Sequence, residues 1–209
     1  SLDKNGEWTF RNLSTGFFTN KFDGMCKDDS ILHFSYYDGL VSYNGREWVH
    51  DTAFPAKLPM GLYLDQDKRL WTGSKENGAY YRDSTGWHHL DNSGTYPYVE
   101  CIMQDHSKNM WFGSYNWDTK SARISRFNGE LFAHYELEQI ISFPSDILED
   151  KSHNLWATTL YDLLKFENEE WKVYHLLINN IQQNDESYSL FEDSRSEERR
   201  VGKECRSRW

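Results

Sequence analysis

The chain has 209 residues, with 23 Lys+Arg against 33 Asp+Glu and a formal net charge of −10 at pH 7. A surface of that sign repels phosphate backbones and argues against nucleic acid as a partner, while 16% aromatic residues with only 4 prolines argue against a disordered chain. No segment approaches the ~20 apolar residues of a membrane span, and the first residues lack the basic-then-apolar pattern of a secretion signal.

Residues 1–10, "SLDKNGEWTF", read as the last turn and fourth strand of a repeating unit. A first full unit covers 11–50: it has His33 where later units have tryptophan, an Asn44-Gly45 hairpin turn, and Trp48 at its last strand. The next unit, 51–91, contains "GLYLDQDKRLWTGS" (61–74), a third strand "GAYYRD" (78–83) and a fourth opening on Trp87. The unit 92–136 repeats this as "ECIMQDHSKNMWFGS" (100–114), "ARISRF" (122–127), an Asn128-Gly129 turn and "LFAHY". The unit 137–178 follows with "SDILEDKSHNLWATT" (145–159), "DLLKFE" (162–167) and a strand opening on Trp171. Residues 179–194, with "SYSLFEDS" (187–194), match only the start of a further unit.

The period carries the fold assignment. Trp8, Trp48, Trp87, Phe132 and Trp171 lie 40, 39, 45 and 39 residues apart, and Trp71, Trp111 and Trp156 keep step at 40 and 45. A period near 40 with two aromatic anchors per turn marks a stacked repeat. Four short strands joined by polar turns make each repeat the blade of a β-propeller. The expectation is an all-β protein of four-stranded antiparallel blades, about four to five of them, forming an incomplete ring. The tail 195–209, "RSEERRVGKECRSRW", lacks strand periodicity and resembles a vector- or adaptor-derived extension, so it is set outside the domain. It holds 6 basic and 3 acidic residues, leaving 17 and 30 in the repeats, a net charge of −13 there.

The strings "YLDQDKRLWTGS" and "LEDKSHNLWATT", each followed by a small-residue turn and an aromatic strand, resemble the two-component-regulator propeller repeat. Its glycine in the first turn is replaced here by Lys68, Lys108 or His153. The resemblance, over 1–194, implies the sensor region of a hybrid two-component regulator. There, ligand capture outside the cytoplasm alters a kinase inside, so the implied location is extracytoplasmic (periplasm or cell surface).

In a propeller, the loops between second and third strands share one face with the blade-to-blade connections. That rule gathers aromatic residues on one side, among them Tyr36, Tyr37, Tyr96, Tyr98, Tyr115, Trp117, Phe143 and Tyr161. The Phe17 and Phe18 pair joins them from the first connection. The third blade adds about five residues in "YNWDTKS" (115–121), and insertions in repeat arrays often mark the binding face. Trp117 between Asn116 and Asp118 pairs an apolar plate with hydrogen-bonding groups, a combination that suits a sugar ring. The expected ligand-binding set is therefore Trp117, Tyr115, Asn116, Asp118, Tyr36, Tyr37, Tyr161 and Tyr98, for a small polar ligand or oligosaccharide. The competing structural reading has these aromatics covering the channel mouth or packing blade to blade.

Two further readings stand beside the binding module. One is a propeller enzyme acting on glycans, with carboxylates drawn from Asp38, Asp118 and Asp162. The other is a protein-interaction scaffold with a broad patch around Trp117. No catalytic residues are expected from spacing: the eight histidines show no metal-binding motif, and no Gly-x-Ser-x-Gly elbow or phosphate loop occurs. No cofactor and no metal are expected. The repeated tryptophans are assigned to packing between blades, Asp65, Asp105 and Asp150 to their own turns, and Cys26 and Cys101 to small core positions on first strands.

Overall fold

A computed structural model describes residues 22–90, 94–138, 140, 142–175, 189–192 and 198–201. The partial unit at 1–10 and the Phe17 and Phe18 pair lie outside the described residues. The first blade is β1 (Phe22–Asp28), β2 (Ile31–Tyr36), β3 (Gly39–Tyr43) and β4 (Trp48–His50). The second is β5 (Pro59–Leu64), β6 (Leu70–Ser74), β7 (Ala79–Asp83) and β8 (Gly86–His89). The third is β9 (Tyr98–Gln104), β10 (Met110–Asn116), β11 (Ser121–Phe127) and β12 (Phe132–Glu136), and the fourth is β13 (Asp146–Glu149), β14 (Leu155–Thr158), β15 (Asp162–Glu167) and β16 (Glu170–His175). Each is a separate four-stranded sheet in sequential order, with antiparallel pairing throughout. The first strands β1, β5, β9 and β13 pack one after another along the inner edge. The architecture is that of a β-propeller.

β17 (Ser189–Glu192) follows β13 along this edge, as the first strand of a fifth unit should. Its sheet partner is β18 (Glu198–Val201), with Ser189 opposite Val201 and Glu192 opposite Glu198. These residues belong to the tail set outside the domain. A free strand edge offers a row of unpaired backbone groups that any extended segment can satisfy. Composition carries no trace of such pairing.

The repeat motif is a lock built on one aspartate. Asp65 Oδ2, Asp105 Oδ2 and Asp150 Oδ2 accept the indole N–H of Trp71, Trp111 and Trp156 at 2.7, 2.8 and 3.0 Å. The other carboxylate oxygen accepts the backbone N–H of Arg69, Asn109 and Asn154, each at 2.8 Å. The aspartate thus closes its own turn, as expected, and also fixes the tryptophan six residues on. A buried indole N–H needs such a partner. Trp71 and Trp111 are 0% and 1% exposed. Trp71 meets Phe112 of the third blade at 5.8 Å between ring centroids, and Trp111 meets Phe166 and Trp171 of the fourth at 5.1 and 5.8 Å. Each tryptophan therefore packs one blade onto the next.

At the turn position where the family has glycine, Lys68, Lys108 and His153 adopt φ of 64°, 67° and 62°. Side chains rarely tolerate this left-handed conformation, and glycine does so without a Cβ clash. Lys108→Gly is expected to stabilise the fold by about 0.5 kcal/mol, read as a higher denaturant midpoint. The Lys108–Asp67 ion pair lost in that change has side chains 58% and 51% exposed, so its contribution is small.

A second device ties adjacent blades and escapes sequence reading. A polar side chain near the end of the first strand reaches back to the preceding blade in three units. Gln104 Oε1 accepts from Gln66 N–H at 2.8 Å, Glu149 Oε2 from His106 N–H at 2.7 Å, and Glu192 Oε2 from Lys151 N–H at 3.1 Å.

Candidate functional site

Hydrogen bonds confirm which segments share a face. Tyr96 N–H, in the connection from the second blade, donates to Ser114 Oγ at 3.2 Å. Gly78 N–H donates to the Pro97 carbonyl at 2.8 Å, and Leu160 N–H to Ser142 Oγ at 3.3 Å. The turns between second and third strands thus interlock with the blade-to-blade connections, opposite the turns that hold the lock aspartates.

On this face the insertion in the third blade forms a taller hairpin, not a long loop. Tyr115 and Asn116 continue β10 and pair with Ala122 and Ser121 of β11, leaving a tight turn at Trp117–Lys120. The β10–β11 register runs through these pairs without a shift, so the added residues lengthen the ladder. Asn116 Oδ1 accepts the N–H groups of Asp118 and Thr119 at 2.9 and 3.2 Å, closing the turn from within. Asp118 is exposed.

The hairpin carries an aromatic cluster. Trp117 meets Tyr115, Tyr98 and Phe143 with ring centroids 4.8, 5.7 and 6.2 Å apart, two of these contacts edge-on. Tyr115 and Tyr98 are 4% and 8% exposed, whereas Trp117 is 57% exposed. The buried rings thus form a firm base, and the indole is the surface presented to solvent. The Tyr98 hydroxyl donates to Glu100 Oε2 at 2.5 Å, and burial together with the Glu100 charge raises its pKa well above the usual phenol value. Glu100 is the extra residue of a bulge in β9, since Gly113 pairs with Cys101 and Ser114 with Val99. A matching bulge at Asp23 in β1 shows the same device, which re-aims side chains at the rims of closed sheets.

The other expected residues lie apart from this cluster. Tyr36 is 5% exposed, and its hydroxyl bonds His50 Nδ1 at 2.9 Å within its own blade. Its burial makes it a packing residue of the first blade, where the loop position suggested an open one. Tyr37 and Tyr161 stand 62% and 43% exposed in the corresponding turns of the first and fourth blades.

Beside the Trp117 turn lies a cleft of about 250 Å³. Lys120, Ser121, Glu136 and Glu138 bring polar groups to it, over apolar Ala122 and Leu137. Tyr96 braces one wall: its hydroxyl donates to Glu136 Oε2 at 3.0 Å, and the Arg123 guanidinium lies 3.9 Å from its ring centroid while bonding Glu136 Oε1 at 2.6 Å. Sequence reading placed Tyr96 on this face but gave no hint of Arg123 and Glu136. Both sit on strands, and only their cross-strand register, Arg123 opposite Glu136, brings them together.

Residues 93–116 match the family model described as two component regulator propeller. No curated protein matches the chain in sequence. Among solved structures, the extracellular domain of a putative hybrid two component system from B. thetaiotaomicron is similar with a TM-score of 0.68 at 15% identity, over 87% of this chain and 26% of that one. Virginiamycin B lyase from Staphylococcus aureus is similar with a TM-score of 0.61 at 18% identity, over 75% and 56% of the two chains. A putative gluconolactonase follows with a TM-score of 0.57 at 12% identity, over 81% and 66%. At these identities the likeness is one of fold. The chain spans about half the length of the lyase and about a quarter of the two component system domain.

Within the propeller, the carboxylates considered for catalysis differ in surroundings. Asp162 is 5% exposed and occupied: its backbone N–H donates to Thr159 Oγ1 at 3.0 Å, Thr159 Oγ1 donates to its Oδ2 at 3.1 Å, and Oδ1 meets His175 Nδ1 at 2.7 Å. Asp38 and Asp118 are exposed in turns of different blades. On the inner edge, Asp146 accepts the Leu190 and Ile147 backbone N–H groups at 2.8 and 2.9 Å, and burial raises its pKa. Cys26 and Cys101 are free thiols, and burial raises Cys26 to about 11 and Cys101 well above the ordinary value. Neither environment is that of a reactive thiolate.

Proposed function

We propose that this chain is a ligand-binding module of sensor type that takes a saccharide, or a similar polar ring compound, at the Trp117 turn. The observation that carries the reading is the exposed indole of Trp117 standing on the buried rings of Tyr98 and Tyr115. A rigid aromatic plate stacks the C–H face of a sugar at little entropic cost, and the neighbouring cleft offers carboxylates, a hydroxyl and an ammonium group for its hydroxyls. The extracellular two component system domain supports placing the module outside the cytoplasm. Among the described residues no helix is long and apolar enough to cross a membrane.

Isothermal titration with a panel of oligosaccharides tests this. Trp117→Ala is expected to weaken the best ligand by about tenfold or more, the loss of roughly 1.4 kcal/mol of stacking, with little change in unfolding midpoint because the side chain is mostly in solvent. Unchanged affinities across the panel would favour a protein-interaction scaffold. A glycan-acting enzyme is the other rival, given the lyase among the structural relatives. It predicts turnover of the bound ligand, and the engagement of Asp162 by Thr159 in its turn and by His175 on the neighbouring strand weighs against it.

A further inference from the structure

On the face opposite Trp117, the seams between blades follow one pattern until the third. The residue in the left-handed turn position points back at the preceding blade. Lys68 Nζ lies 2.7 and 3.3 Å from carboxylate oxygens of Asp28 and Asp29, and Lys108 Nζ lies 3.1 Å from Asp67. Each seam pairs a cation with acid. At the seam between the third and fourth blades the same position is His153, and what it meets is His106 and Glu149.

We propose that His106, Glu149 and His153 form a binding site for a divalent transition metal, with zinc as the representative ion, that staples the third blade to the fourth. One ligand atom from each residue lies within 4.8 Å of the others, and the two imidazole centroids are 4.1 Å apart. Both Nδ1 atoms converge on one oxygen, Glu149 Oε1, that of His153 at 3.3 Å and that of His106 in direct hydrogen-bond contact. Glu149 Oε2 is held by the His106 backbone N–H at 2.7 Å, so the carboxylate is oriented with Oε1 toward the rings. A cation seated between Glu149 Oε1 and the two rings takes the Nδ1 lone pairs, with each ring proton then carried on Nε2. In His106 that nitrogen already faces Ser107 Oγ at 3.1 Å, the outer hydrogen bond that metal-binding histidines ordinarily make.

Bond lengths of about 2.0–2.2 Å to nitrogen and oxygen set neighbouring ligand atoms about 3.3 Å apart, the separation His153 Nδ1 and Glu149 Oε1 already have, so an ion requires His106 Nδ1 to draw back from Glu149 Oε1 by a side-chain movement at the surface. Two imidazoles with one carboxylate select zinc, nickel or copper over magnesium or calcium, which take all-oxygen sets. The side chains of His106 and His153 are 52% and 59% exposed, so the remaining coordination positions face water. The signal escapes sequence reading because the two histidines are separated by slightly more than a full period and occupy different places in their turns.

The test is titration of the tag-free full chain with zinc chloride, with magnesium chloride as control, followed by absorption spectroscopy of the cobalt form. Binding of one zinc per chain is expected, with a rise in unfolding midpoint that chelator reverses, and no response to magnesium. His106→Ala and His153→Ala should each weaken zinc by at least about 100-fold, and Ser107→Ala by about 10-fold. Both histidines are largely in solvent, so circular dichroism in chelator should show the variants folded. Zinc affinity unchanged in both histidine variants, or absent from the parent chain, would overturn the proposal and leave the cluster as a hydrogen-bonded seam.

Discussion

Trp111→Ala is expected to cost about 4 kcal/mol of unfolding free energy, against about 1–2 kcal/mol for Trp156→Ala at the same place in the next repeat. The two indoles make the same hydrogen bond to their lock aspartates, at 2.8 and 3.0 Å. They differ in what covers them. Trp111 is 1% exposed beneath Phe166, Trp171 and Tyr135, while Trp156 is only half-buried, with Lys165 Nζ 5.1 Å from its ring centroid. Chemical denaturation of the two variants measures the difference directly. Equal losses would mean that the tryptophan acts within its own sheet and that blade-to-blade packing contributes little.

Gly73→Ala should be the most damaging of the small substitutions, at about 3 kcal/mol, the upper part of the range for overpacked cores. A Cβ at Gly73 falls 2.1 Å from the Val99 carbonyl oxygen and 2.8 Å from Val99 Cβ, on the inner strand of the next blade. Val99 is fully buried, so the added methyl group can be accommodated only by parting the blades. The glycine of the Trp-x-Gly string is thus explained by close approach of backbones and not by a special dihedral angle. At Gly113 a Cβ would fall 2.4 Å from Cys101 Sγ and 2.8 Å from Pro144 Cβ, so the third blade repeats the constraint. In the fourth blade the position is Thr158, which bonds Ser145 Oγ at 3.2 Å. Denaturation of Gly73→Ala with a loss below about 0.5 kcal/mol, the level of an ordinary surface change, would show that the seam is loose.

The fold was legible because its signals are local and recur. Asn-Gly turns, an aspartate six residues before each tryptophan and a period near 40 define strands, turns and the blade without reference to distant residues. What stayed hidden depends on register between strands or on neighbouring blades. The bulge at Glu100 inserts one residue into β9, and an apolar alternation interrupted by a single residue reads the same with or without it. The clip formed by Gln104, Glu149 and Glu192 was within reach, since all three directly precede an aspartate in the sequence, but its backbone partners lie about one repeat away.

The candidate site was legible only as a face. Assigning loops to one side brought Tyr98, Tyr115, Trp117 and Phe143 together correctly, yet loop position did not distinguish exposed from buried rings. Tyr115 lies in a strand and Tyr36 in the core of its blade, and both rings are buried. Arg123 and Glu136, which frame the cleft with Tyr96, look like ordinary strand charges until the β11–β12 pairing is known.

Fluorine NMR of protein labelled with fluorotryptophan provides the most direct test of the Trp117 site, because the chain's nine indoles report on packing and on the exposed face at once. With Trp117 assigned from Trp117→Phe, addition of a binding oligosaccharide should shift that resonance alone and leave Trp71 and Trp111, buried in the seams, where they were. A ligand that binds without moving the Trp117 signal, or that moves the seam indoles in its place, would contradict the assignment of this face as the recognition surface.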